Sequence, residues 1–225
     1  LFQLNIVIFL LGIAIGRFLN VYLSWKLRME NFVLCSDNIN SSEQLKWFNE
    51  ILKQYPVMEF FNGLLYLVVF QINGWYSISL VYCFMASALI IISIMDYCTF
   101  VIPYELNIFI MVLGVIHLFL DYIHWKTYVM GFFVVSVILY LIYVITKGTG
   151  IGGGDIKLMA VSGLLLGWDK IIVAFFVGCI IGVLVHLLRM VVSHVNHRFA
   201  LGPYLSGGIF IAALWGKEII AWYYA

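Results

Sequence analysis

"SISLVYCFMASALIIISIMD", Ser77–Asp96, carries no charge until its last position. About 20 mostly apolar residues suffice for a helix to cross the hydrocarbon of a bilayer. Inside lipid the backbone must satisfy its own hydrogen bonds, which selects helix for such a run. The stretch therefore reads as a spanning helix that ends on an acid. The rest of the chain has the same character: of 225 residues 64% are hydrophobic and 10% charged, against roughly 45–50% and 25% in a soluble domain. The fold class expected is an all-α integral membrane protein, a polytopic bundle of about eight transmembrane helices, with residues 1–225 forming a single polytopic membrane domain.

Hydropathy and breaker residues place the spans at about 4–24, 56–73, 77–96, 103–122, 127–146, 155–167, 170–190 and 202–222. The sixth is short for a full crossing and reads as tilted or partly submerged. The first run has neither a basic n-region nor a small-residue cleavage site, so a first span is expected rather than a signal peptide. One connection is long and polar, residues 26–55, and reads as a cytoplasmic loop or small subdomain. Within it "SSEQLKWFNEILKQY", Ser41–Tyr55, spaces Leu45, Phe48, Ile51 and Leu52 as the apolar face of a helix lying on the membrane. With that loop inside, Lys26, Arg28, Lys46, Lys53, Lys147, Lys157, Arg189 and Arg198 are cytoplasmic and Lys126, Lys170 and Lys217 are outside. The bias places both termini on the outer side, and both Asp96 and the Asp155 stretch at the cytoplasmic face.

The formal net charge is +1 with no basic block, which argues against nucleic acid as a partner, because phosphate recognition needs clustered Lys and Arg. Cys35, Cys83, Cys98 and Cys179 are scattered and form no CxxC pair, so neither a zinc site nor a disulfide framework is expected. His194 and His197 stand three apart but lack a nearby acidic third ligand, and read as solvated. Asp121 and Asp169 border outer loops and read as caps or headgroup contacts.

A second stretch carries the chemistry: "TKGTGIGGGDIKLMA", Thr146–Ala160. Alone, Asp155 reads as a helix N-cap, and Asp96 as a helix-end residue facing the headgroups. A cap needs one permissive neighbour, whereas here Gly148, Gly150, Gly152, Gly153 and Gly154 precede the acid. Glycines allow close backbone approach, and such a loop can admit an extended peptide. Two acids bordering apolar spans at one membrane face supply the carboxyl pair of an aspartic protease. Held close, like charges share a proton; one carboxylate then activates water while its protonated partner polarises the scissile carbonyl. Neither a metal nor a covalent intermediate is required.

Other readings compete. Gly148–Gly153 also fits GxGxxG, but a dinucleotide site needs a preceding strand. "AVSGLLLG", Ala160–Gly167, approximates the rhomboid serine-protease pattern with His186 on the next span. Its first glycine is an alanine, however, and the spacing around Ser162 and Gly163 suits close helix packing. Outside the enzymes, a small ion- or proton-coupled transporter would use Asp96 and Asp155 as ligands. That role favours acids near the midplane and an internal repeat, and neither is visible.

"GGGD", Gly152–Asp155, matches the GxGD motif of intramembrane aspartic proteases, and further stretches resemble the type IV prepilin leader peptidases. "GRFLNVYL", Gly16–Leu23, resembles that family's GSFLNV, and "QYPVMEFFNGLLY", Gln54–Tyr66, resembles RYPLVELLTG. "DYCTFVIPYEL", Asp96–Leu106, sets Pro103 seven residues after the acid, and "ALGPYLSGG", Ala200–Gly208, resembles FGPFLALG. The matches keep the family's order. The resemblance implies cleavage of the short basic leader from type IV prepilins or pseudopilins, at the cytoplasmic face of the bacterial cytoplasmic membrane. Asp96 and Asp155 would be catalytic, Gly152, Gly153 and Gly154 the active-site loop, and the lipid bilayer the medium. No cofactor is implied for proteolysis; in many members S-adenosylmethionine then serves N-methylation of the new amine. Glu59 is a candidate for attracting the basic leader and Lys157 for tuning the acid pair, the alternative for both being interfacial snorkelling or an ion pair. Many members carry paired CxxC motifs in the cytoplasmic loop. Here only Cys35 falls there, so no zinc staple is expected, and the methyltransferase function stays open because no cofactor turn or acidic ribose partner can be assigned.

Overall fold

The computed structural model describes residues 2–34, 57–192 and 200–224. Among them are eight α-helices: α1 Phe2–Leu34, α2 Val57–Asn73, α3 Ser77–Thr99, α4 Tyr104–Leu120, α5 Trp125–Ile145, α6 Gly153–Leu166, α7 Trp168–Val192 and α8 Gly202–Tyr224. A single 3-10 turn, Tyr122–His124, precedes α5. Five stretches are long and apolar enough to cross a membrane: Gln3–Leu27, Ser77–Thr99, Tyr122–Ile145, Trp168–Val191 and Gly202–Tyr224. The helices α2 and α4 are apolar but have 17 residues each. The protein is thus a polytopic helical membrane protein, as its composition requires. The amphipathic segment at 41–55, Cys35, His194 and His197 lie outside the described residues.

Helix bounds depart from the sequence reading where no breaker marks them. The first helix runs on to Leu34, so residues 26–34 of the expected loop are helical. "WKLRMENFVL" contains no Gly or Pro and is rich in Lys, Leu, Arg, Met and Glu, which favour helix; loss of hydropathy does not end a helix.

The chain forms two compact units, Leu1–Phe100 and Val101–Ala225. In the first, α1 and α2 run antiparallel with backbones in near contact. A Cβ on Gly12 would lie 2.6 Å from Gly63 Cα, and one on Gly16 would lie 2.7 Å from Glu59 Cα. A buried polar chain ties the three helices together. Asn62 Nδ2 donates to the Gly12 carbonyl at 2.8 Å, Ser87 Oγ to Asn62 Oδ1 at 2.9 Å, and the Tyr66 hydroxyl pairs with Ser87 Oγ at 2.9 Å. Lipid is as apolar as Leu, so helix association in a bilayer depends on such close packing and hydrogen bonding.

The second unit is organised around α6, which packs against α4, α5, α7 and α8. Nine of its 14 residues are buried, Leu158–Gly163 without interruption; a helix with neighbours on all sides has no use for a polar face. At its crossing with α5, a Cβ on Gly163 would run into the Gly131 carbonyl, and one on Gly131 into the Gly163 carbonyl. The Ser162–Gly163 spacing therefore serves close packing. His117 Nδ1 adds a bond from α4 to the Leu165 carbonyl of α6 at 2.7 Å. Beyond α4, Asp121 Oδ2 accepts the Tyr128 hydroxyl at 2.7 Å, and Oδ1 lies 2.9 Å from His124 Nδ1. The bond from Tyr128, then that from His124, holds the Asp121 carboxyl below its ordinary value.

Gly163→Leu and Gly131→Leu should each destabilise the detergent-solubilised protein by about 3 kcal/mol or more, because backbone cannot yield as a side chain does. Ser162 Oγ is fully buried without a hydrogen-bond partner among the described residues, so Ser162→Ala should be neutral or stabilising in the same thermal-unfolding assay. A depressed carboxylate contributes stability that is fully present above its unfolded-state pKa and is lost as pH falls through the folded-state value. The wild-type advantage in unfolding temperature over Asp121→Asn should accordingly hold above about pH 4 and shrink below it; a constant difference down to strong acid would contradict the assignment.

Candidate active site

Asp96 lies in the last turn of α3, which continues to Thr99 rather than stopping at the acid. Phe100 then takes a left-handed conformation, φ 55° and ψ 24°, and its N–H bonds the Asp96 carbonyl at 2.9 Å. For a residue with a side chain this conformation costs roughly 1–2 kcal/mol, so the abrupt end of α3 is set against local preference. Pro103, with φ −59°, then starts α4; its ring fixes that angle and bars continuation from α3. The Asp96 side chain is 7% exposed. It is buried one turn inside the helix end.

Asp155 is displaced in the same sense from its expected position. The N-cap of α6 is Gly152, φ −72° and ψ 140°, with no side-chain cap bond. Asp155 is the third residue of the helix, its N–H bonds the Gly152 carbonyl at 3.1 Å, and its side chain is 8% exposed. The first turn is still where an acid meets the positive end of the helix dipole, but the cap role belongs to glycine.

Three neighbouring glycines do three different things. A Cβ on Gly152 would lie 3.1 Å from Asp155 Oδ2, so this glycine makes room for the carboxyl to fold back over the turn. A Cβ on Gly154 would lie 3.1 Å from Ile102 Cβ, so that one admits the chain entering α4. At Gly153 a Cβ would meet nothing within 4 Å, and the residue is exposed. Of the three, only Gly153 has open space where a Cβ would stand. Gly148 belongs to another structure: with φ 78° and its N–H bonded to the Tyr143 carbonyl at 2.9 Å, it terminates α5. The apparent GxGxxG is thus a helix C-cap followed by a helix start, with no strand before it.

Lys157 is exposed and its Nζ lies 5.8 Å from the centre of the Tyr104 ring. Two residues apart on a helix, Lys157 and Asp155 project from different faces, so any influence of this cation on the acid acts over distance. Glu59 is not at the surface. It sits in the first turn of α2, 9% exposed, with Oε1 accepting Asn20 Nδ2 at 3.0 Å. The hydrogen-bonded register of α2 and α3, from Tyr66 and Asn62 to Ser87, sets Glu59 and Asp96 at the same end of that antiparallel pair. Asn20, Asn62, Tyr66 and Ser87 escape a reading based on acids alone; the signal was amides in otherwise apolar helical runs, which cost too much there to be idle. Among the described residues no group of three His, Cys, Asp or Glu side chains is placed to hold a metal ion.

Comparison with known proteins bears on the same segments. Residues 83–187, which include Asp96, Asp155 and the glycine turn, match the type IV leader peptidase family. A prepilin leader peptidase/N-methyltransferase of Aeromonas salmonicida (strain A449) is 29% identical over 184 residues, covering 77% of this chain and 62% of the relative. Proteins of the same description from Bacillus subtilis (strain 168) and Pseudomonas aeruginosa are 34% identical over 140 residues and 35% identical over 99 residues. These cover 61% and 42% of this chain, and 56% and 33% of the respective relatives. The chain thus spans less than two thirds of the length of these relatives. No solved structure matches it. The two buried acids and the glycine turn all fall inside residues 83–187, the segment that matches the type IV leader peptidase family.

Proposed function

We propose that this protein is an aspartic endopeptidase of the GxGD type that removes the basic leader from type IV prepilins or pseudopilins at the cytoplasmic face of the bacterial inner membrane. The observation that carries the reading is that two acids of the family-matched region, Asp96 and Asp155, are buried within a turn of a helix end. Buried carboxyls at apolar helix ends are costly, and function is the usual reason to retain them.

In this mechanism the two carboxyls share one proton. The ionised one takes a proton from water, which attacks the scissile carbonyl. The protonated one donates to the carbonyl oxygen. As the tetrahedral intermediate collapses, the departing amine receives a proton and the pair returns to its starting state. Gly153 is the point at which an extended substrate backbone passes the turn.

N-methylation of the new terminus is the second activity in this reading, with S-adenosylmethionine as methyl donor. The glycine turn at 148–154 joins two helices and lacks the strand of a nucleotide-binding turn. The described residues of this turn do not form a cradle of that type.

Asp96→Asn and Asp155→Asn should each lower cleavage of a prepilin-like substrate in membranes by at least about 10³-fold at unchanged expression. Full activity in either variant would refute the mechanism. Gly153→Val should fold normally yet cut at least about tenfold more slowly, since a Cβ here meets nothing within 4 Å and the side chain fills space left for the substrate backbone. For methylation, mass spectrometry of the mature pilin with and without S-adenosylmethionine should show a 14 Da gain with it, the ordinary mass of one added methyl group; an unmodified amine in both makes the protein a peptidase only.

A further inference from the structure

The two oxygens of the Glu59 carboxyl have different surroundings. Oε1 accepts the Asn20 amide at 3.0 Å, whereas Oε2 is buried and has no hydrogen-bond partner among the described residues. Gly16 brings α1 against the backbone of Glu59. Elsewhere in this unit Asn62, Ser87 and Tyr66 bond one another and the Gly12 carbonyl. The open valence is confined to one atom. A buried carboxylate oxygen left without a donor is strongly unfavourable, and a cationic N–H donor is the partner that relieves it best.

We propose that Glu59, oriented by Asn20, is a receptor for a cationic nitrogen of the peptide substrate. The inference rests on the peptidase reading above and adds a docking point to it. Asn20 fixes one oxygen and so aims the other, and Glu59 lies at the end of the α2–α3 pair that also carries Asp96. Contact is a charge-assisted hydrogen bond, with no bond made or broken. Two nitrogens have the required chemistry: a Lys or Arg side chain of the leader, and the α-amine released when the leader is cut.

The test measures binding of fluorescent peptides to the full chain in nanodiscs. One pair is a prepilin-like peptide with its scissile amide N-methylated to prevent cleavage, carrying either basic leader residues or norleucine in their place. A second pair is the mature peptide with a free or an acetylated N-terminus. The wild type should bind the charged member of one pair about tenfold more tightly than the neutral member. Glu59→Gln keeps the side-chain size and the acceptor for Asn20, and should bind both members of that pair alike. Glu59→Asp draws the carboxylate back by one methylene and should weaken only the charged member, which keeps the test sharp if Glu59→Gln fails to assemble. Discrimination in the leader pair assigns the site to the leader, and discrimination in the second pair assigns it to the freed amine. Equal binding within both pairs by the wild type, or discrimination that survives in the variants, overturns the site. Glu59-dependent discrimination without cleavage of an ordinary substrate would refute the peptidase reading and leave the receptor standing, whereas cleavage without discrimination would do the reverse.

Discussion

The backbone contact between Gly131 and Gly163 governs the unit that holds Asp155. At about 1.5 Å per residue, the 14 residues of α6 reach only about two thirds of the roughly 30 Å of hydrocarbon in a bilayer. Such a helix cannot set its own depth by its length. Its neighbours set it: Gly163 is pressed on α5, Leu165 is held by His117 of α4, and Gly154 is fitted against Ile102. All of these supports hold the start of α6, and the acid in its first turn, in place. The lateral contacts also explain why α6 needs no amphipathic stripe.

The first unit solves a related problem with polar groups. In lipid an unpaired amide or hydroxyl has no water to fall back on, and the Gly12–Asn62–Ser87–Tyr66 chain leaves its amide and hydroxyls partnered. Against that background the half-satisfied carboxyl of Glu59 is an exception within the same three helices. Polar groups that complete one another specify packing.

Much of this was legible in the residues. Breakers such as Gly74, Pro103 and Gly167 coincide with helix ends, and the acids Asp96 and Asp155 were visible as charges at the borders of apolar runs. Local chemistry decides both features, so a linear reading recovers them. The errors lie where the local signal is silent or has two meanings. The helix past residue 24 has no breaker to stop it, and it continues to Leu34 although the hydropathy falls. Asp155 and Gly152 are both acceptable N-caps, and the choice between them turned on whether the acid could fold back and be buried. Glu59, three residues after Pro56, looks interfacial in one dimension. It is buried because Gly16 and Asn20 of a helix distant in sequence close over it.

The sequence by itself determined that this is a helical membrane protein, that two acids border its apolar runs, and that a glycine turn precedes the second. Hydropathy, charge and backbone permissiveness are properties of single residues and their near neighbours, so these conclusions need no tertiary structure. Only the tertiary structure divided the labour among the glycines. Gly148 ends α5, Gly152 yields to the carboxyl, Gly154 yields to Ile102, Gly153 opens outward, and Gly163 seats α6. Each role is defined by what stands opposite the missing Cβ, and for Gly154 and Gly163 that neighbour comes from another helix or its approach, which the linear order does not show.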